Sequence, residues 1–167
     1  MVEEESCKGE FCLDEFEEEY NKFQEKYQLP SFEEMNETFH IEKIADVETR
    51  YFLREIRKFM SEKFSSYSRF LESMINPSNG PMFIFPIVRI LNAEDKKVLS
   101  DSYRILAKIQ VDLVENDLHY SESSEVNFIK ESYTAWKIIE GDLLKIVQKI
   151  KLNWDKKFEE NGKGYFG

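Results

Sequence analysis

The sequence predicts an all-α protein, an antiparallel bundle of about five or six helices that includes two long amphipathic helices. Glycine and proline are scarce, with six and four in 167 residues, whereas a many-stranded β protein needs a turn about every ten residues. Large apolar side chains recur at helical spacing over long stretches. These stripes are broad, which favours packing inside a bundle over a two-stranded coiled coil.

Charge is distributed unevenly along the chain. The net charge is −10, and residues 1–20 alone hold nine acidic residues and one basic residue. We therefore expect residues 1–12 to form a disordered acidic arm, residues 13–160 a single helical bundle domain, and residues 161–167 a flexible tail. The arm contains both cysteines, Cys7 and Cys12. Incidental thiols are the simplest interpretation, because no second Cys or His pair completes a zinc site, although a redox-switched disulfide or an intermolecular metal site stays open.

The sequence also carries signals about cellular location. The N-terminus lacks a basic stretch followed by an apolar one, so it does not read as a signal peptide. The longest strongly apolar run, Pro81–Leu91, is shorter than the roughly 20 residues that span a bilayer. These observations predict a cytoplasmic protein that does not enter membranes.

The first two helices have clear boundaries. The first should begin near Leu13 and end before Pro30, and one of its faces carries five large side chains: Leu13, Phe16, Tyr20, Phe23 and Tyr27. Ser31 followed by Glu34 is a capping box, in which the two side chains satisfy free N–H groups at a helix start. A short helix is therefore predicted from Phe32 to about Phe39.

The two long helices are placed at Ile41–Ile75 and from about Glu125 to Phe158. The first contains no proline or glycine, would be about 50 Å long at 1.5 Å per residue, and stops at the turn residues 76–80. The second has an apolar stripe that ends at Trp154. Between them, a helix is expected over roughly Ala93–Asp117, with its start marked by Asn92 and Asp95.

The segment Pro81–Leu91, called here the apolar segment, is almost uniformly apolar. A helix of this kind is buried on all sides, so one interpretation places it at the centre of the bundle. The other interpretation leaves part of it exposed in the monomer as a surface that a partner covers. The candidate interaction residues are Met82, Phe83, Phe85, Ile87 and Val88.

A basic helix face offers an alternative function. Arg50, Arg54 and Arg57 recur at spacings of four and three, which suits contact with phosphates of a nucleic acid. Acidic neighbours favour a salt-bridged surface instead. In a further interpretation, Arg54 is partly buried and paired with a carboxylate of another helix.

The sequence contains no catalytic or cofactor signature. It has two histidines, and no nucleotide-binding glycine loop or nucleophile elbow occurs. Glu37 and His40 have the spacing of half of a di-iron carboxylate motif, so a helical-bundle metal enzyme stays as a further alternative. No resident cofactor is expected.

Three stretches resemble small helical proteins of archaeal genomes that carry no assigned activity: Leu29-Pro30-Ser31-Phe32-Glu33-Glu34, Leu53-Arg54-Glu55-Ile56-Arg57, and Phe128-Ile129-Lys130-Glu131 leading to Trp136. The resemblance covers most of the chain after the acidic arm. It implies a cytoplasmic setting and assigns no functional residue. From the residues themselves, we expect a non-enzymatic protein that interacts with a protein partner or with itself.

Overall fold

A computed structural model describes residues 10–47 and 49–162, and it describes side chains over residues 13–47, 49–78 and 80–154. Within these ranges the chain is all-helical, as predicted, with six α-helices, two short 3-10 helices and no β-strand. The α-helices are α1 (Glu10–Tyr27), α2 (Phe32–Phe39), α3 (Phe52–Ile75), α4 (Ile84–Ile90), α5 (Ala93–Leu118) and α6 (Glu122–Gly162). The 3-10 helices are Ile41–Asp46 and Pro77–Asn79. None of the described helices has the length and apolar character needed to cross a membrane.

The boundary between α1 and α2 follows the local sequence signals. Gln28 adopts a left-handed conformation with φ 55°, and the Leu29 N–H then donates to the Gln24 carbonyl, which closes the end of α1. The predicted capping box is confirmed: the Glu34 N–H donates to Ser31 Oγ, and the Ser31 N–H donates to Glu34 Oε2. The predicted bounds of α2 are confirmed as well.

The prediction of one continuous helix over Ile41–Ile75 is wrong. Residues Ile41–Asp46 form a 3-10 helix, and Val47 is extended (φ −104°, ψ 114°). The Tyr51 N–H then donates to Thr49 Oγ1 at 3.0 Å. β-branched side chains at positions 47 and 49 fit this extended backbone better than a helix. The helix α3 therefore has 24 residues, and the described chain has three long helices (α3, α5 and α6) rather than two.

The starts of α4 and α5 have distinct physical causes. Pro86 is the third residue of α4, where a backbone N–H would have no partner within the helix, so the first turn accommodates the proline without a kink. Asn92 and Asp95 exchange side-chain hydrogen bonds with each other's N–H groups, each at 2.8 Å, which confirms the predicted start of α5. Lys149 also donates to Asp95. Burial alone raises the pKa of Asp95, but these donors outweigh it and lower the pKa below its ordinary value.

The described residues form two compact units, each with its own core. The first unit contains the described residues up to Lys63 together with Asp112–Tyr133. Its fully buried side chains include Tyr20, Met35, Ile41, Ile44, Ile56, Met60 and Ile129. The second unit contains Phe64–Val111 and residues 134–162. Its buried side chains include Phe64, Leu71, Met74, Ile84, Leu99, Leu106 and Trp136. The single domain over residues 13–160 stays a prediction, and most of the acidic arm lies outside the described residues.

Candidate functional site

The apolar segment is buried on one side only. Its inward side chains are Ile84, Ile87 and Leu91, all at most 5% exposed. Its outward side chains are Met82 (81% exposed), Phe83 (52%) and Phe85 (43%), and these three residues are called the exposed patch. Val88 is half-buried. Of the five candidate interaction residues, Ile87 therefore belongs to the core, whereas the exposed patch remains available for contact.

The exposed patch is held in place by the backbone around it. The Ile84 N–H donates to the Pro81 carbonyl at 2.9 Å, which turns the chain just before α4. Ile84 and Ile87 then anchor the helix in the core of the second unit. Phe85 and Arg89 are four residues apart and therefore share one face of α4. Arg89 is exposed and forms no ion pair with any described residue, so a positive charge borders the patch.

The three arginines do not form the basic helix face that their spacing predicted. Arg50 is exposed but precedes α3, which begins at Phe52. The Arg54 guanidinium is half-buried and stacks on two tyrosine rings, 5.0 Å from the centroid of Tyr51 and 4.4 Å from that of Tyr120. Arg57 is only 5% exposed. The surface of α3 therefore presents no row of three free guanidinium groups.

Arg57 belongs to a charge cluster in the first unit, in which Arg57 and Glu125 are buried and Asp117 is exposed. Its Nη2 lies 2.8 Å from Oδ1 of Asp117 on α5, and its Nε lies 2.7 Å from Oε2 of Glu125 on α6. Glu125 is fully buried, and its carboxylate oxygens meet no well-aligned hydrogen-bond donor. Burial raises the pKa of Glu125, and the charges of Arg57 and Arg54 offset this only in part.

Sequence reasoning missed Glu125, although a signal was present. Glu125 lies four residues before Ile129, and Arg57 lies four residues after Leu53 and three before Met60, so both charges are in register with apolar stripes. A charged residue on an apolar stripe is expected to be paired, because an unpaired buried charge is very costly. Arg54 is partly buried, as one interpretation of the sequence predicted, but the arginine that forms ion pairs with carboxylates of other helices is Arg57.

The candidate metal ligands Glu37 and His40 are both exposed, and His40 caps the end of α2 in a left-handed conformation. Among the described residues, no group of three His, Cys, Asp or Glu side chains is arranged to hold a metal ion. Cys7 lies outside the described residues, and the side chain of Cys12 does too.

The two units carry opposite net charge. The described part of the first unit has 20 acidic and nine basic residues, a net charge of −11. The described part of the second unit has nine acidic and 12 basic residues, a net charge of +3. Much of the acidic excess of the first unit lies on α1. An open groove on this helix, called here the α1 groove, is lined by Glu15, Glu18, Glu19, Lys22, Phe23 and Lys26.

No protein-family model, curated protein or solved structure matches the chain. Function is therefore inferred from the burial, charge and geometry of the residues described above.

Proposed function

We propose that this chain is a non-enzymatic protein-interaction or assembly protein and that the exposed patch is its contact surface. The observation that carries the proposal is the exposure of Met82, Phe83 and Phe85 on a segment that is anchored by the buried side chains of Ile84 and Ile87. Water contact with these three large side chains is unfavourable, and a partner that covers them gains the free energy of their burial.

The composition of the exposed patch also supports this proposal. Isolated exposed apolar side chains are ordinary on protein surfaces, but a group of neighbouring ones marks a site of interaction. Methionine and phenylalanine are enriched at interfaces between proteins. The patch spans only four positions of the chain, so it suits a compact contact centred on a few anchoring side chains.

The alternative functions have less support. A nucleic-acid-associated accessory factor would use Arg50, Arg54 and Arg57, but Arg57 is buried in ion pairs and Arg54 is stacked on tyrosines. A metal enzyme would use Glu37 and His40, and no third ligand lies beside them among the described residues. We also propose that the helices pack antiparallel in a bundle and that the protein is cytoplasmic.

The test is co-purification of the full chain from its native cells. The double variant Met82→Asp/Phe85→Asp places charge in the exposed patch, while the control Ile138→Asp/Leu152→Asp changes two side chains of α6 that are also largely exposed. We expect a stoichiometric partner, either another protein or further copies of the chain, to be retained by the wild type and by the control but lost from the patch variant. A partner that the patch variant retains equally would overturn the proposal, as would the absence of any stable partner.

A further inference from the structure

We propose that the partner of the exposed patch is a second copy of this chain and that the patch docks onto the α1 groove of that copy. This inference depends on the proposed function and adds the identity of the partner to it. It also specifies that the two copies use different surfaces, one from the second unit and one from the first.

The first step is the difference in charge between the two units. The first unit has a net charge of −11 and the second unit a net charge of +3 over the described residues. When two copies approach, the first unit of one attracts the second unit of the other, whereas like units repel each other. Electrostatics therefore favours a contact between unlike surfaces.

The second step is the local chemistry of the two surfaces. The exposed patch has Arg89 on the same face of α4 as Phe85, and this arginine has no ion-pair partner among the described residues. The α1 groove offers three exposed carboxylates, on Glu15, Glu18 and Glu19, which likewise form no ion pair within the described part of the chain. Two lysines also line the groove, and Lys26 is paired with Glu122, so the three carboxylates leave the groove with a negative excess. The guanidinium of Arg89 is complementary in charge to these three carboxylates.

The third step is that the α1 groove also offers apolar contact. Phe23 lines the groove and is held in position by parallel stacking on Phe52, with ring centroids 5.1 Å apart. A phenylalanine or methionine of the exposed patch can pack against its outer surface. Contact between two exposed patches would be less favourable, because it would bring two basic units and two copies of Arg89 together.

A contact of this kind is heterologous, because each copy contributes a different surface. Each of the two copies then has one free surface after the first contact, so the pair either closes through a second, reciprocal contact or associates further into a larger ring or an open chain. The predicted behaviour is a molar mass that rises with protein concentration and falls with salt.

The first measurement is sedimentation equilibrium of the purified full chain. We expect the apparent dissociation constant to rise by about tenfold or more when NaCl is raised from about 50 mM to about 500 mM, because exposed charges are screened. A wild-type chain that stays monomeric at low salt would overturn this inference. The proposed function would still stand if a different protein co-purifies with the wild type and is lost from Met82→Asp/Phe85→Asp.

The second measurement is complementation between two variants. Met82→Asp/Phe85→Asp removes the exposed patch, and Glu15→Lys/Glu18→Lys/Glu19→Lys reverses the charge of the α1 groove. Each variant alone is expected to be monomeric, while an equimolar mixture forms a one-to-one dimer, since one variant keeps the groove and the other keeps the patch. The control Glu33→Lys/Glu37→Lys/Glu62→Lys makes the same change in net charge at other exposed sites of the first unit and should associate like the wild type. A mixture that stays monomeric, or a control as impaired as the groove variant, would refute docking in the α1 groove.

Discussion

Nε of Arg57 lies 2.7 Å from Oε2 of Glu125, and the two side chains are 6% and 0% exposed. This ion pair joins α3 to α6 within the first unit, and the second contact of Arg57, to Asp117, adds α5. Removing two charges from water is costly, and the pair is favourable only while both partners are present. The pair therefore adds little net stability while it is intact, although the loss of either partner is costly.

Replacing Arg57 by leucine should be strongly destabilising. The variant leaves the carboxylate of Glu125 buried without its cation, and breaking a buried ion pair in this way costs about 3–5 kcal/mol. The free energy of unfolding, measured by urea denaturation, is expected to fall by that amount. The double variant Arg57→Leu/Glu125→Leu should recover much of the loss, because no charge is then buried. Arg50→Leu is the matched control at an exposed site and should change the free energy by less than about 0.5 kcal/mol.

Glu125 should make stability depend on pH in a defined direction. Burial raises the pKa of Glu125 in the folded chain above its ordinary value of 4.5. Its contribution is fully present below that value and is lost as the pH rises through the raised pKa. The free energy of unfolding of the wild type minus that of Glu125→Gln should therefore decrease from about pH 4 to about pH 8. Glu62→Gln, at an exposed position, should show no such trend. A difference that grows with pH would mean that the two arginines outweigh burial.

Truncation of Ile87 should cost much more stability than truncation of Phe85. Ile87 is 4% exposed and Phe85 is 43% exposed, so Ile87→Ala leaves a cavity in the core of the second unit. We expect Ile87→Ala to lower the free energy of unfolding by about 2–4 kcal/mol, and Phe85→Ala to lower it by under about 1 kcal/mol. Urea denaturation of the two variants under identical conditions measures both values. Equal losses would show that Phe85 is part of the core and not of a free surface.

Gly141 should be replaceable by alanine with a gain in stability. It lies inside α6, is exposed, and a Cβ atom at this position meets no atom within 4 Å. Alanine has a higher helix propensity than glycine, by about 1 kcal/mol in a helix interior. Thermal denaturation should therefore show a raised melting temperature for Gly141→Ala. A lower melting temperature would contradict this prediction and indicate that a side chain is not tolerated at this position.

The helix boundaries that the sequence predicted correctly are those marked by short local motifs. The bounds of α2 followed from Ser31 and Glu34, because a capping box is complete within four residues. The start of α3 did not follow, because residues 47–51 contain no proline or glycine to mark the break. The helical conformation is interrupted before Phe52 by the extended residue Val47 and by the hydrogen bond from the Tyr51 N–H to the Thr49 hydroxyl. Amino-acid composition does not reveal either feature.

Burial of individual side chains could be predicted only in part. Periodicity distinguishes the two faces of an amphipathic helix, but the apolar segment is apolar on every side, so nothing in it separated Ile87 from Phe85. The pairing of Arg57 with Glu125 joins residues that are 68 positions apart, and a spacing rule within one helix cannot identify such a partner. The candidate site therefore needed the structure, although each of its residue types was visible in the sequence.

Pro86 limits the backbone conformations that the exposed patch can adopt when a partner binds to it. Its ring would clash with the carbonyl of Met82 in a continuous helix, so α4 cannot be extended backwards through Met82 and Phe83. Helical conformations of Met82 and Phe83 that continue α4 are therefore excluded both before and after a partner binds. This restriction reduces the conformational entropy that the patch loses on binding, and that entropy loss is one of the costs that oppose affinity.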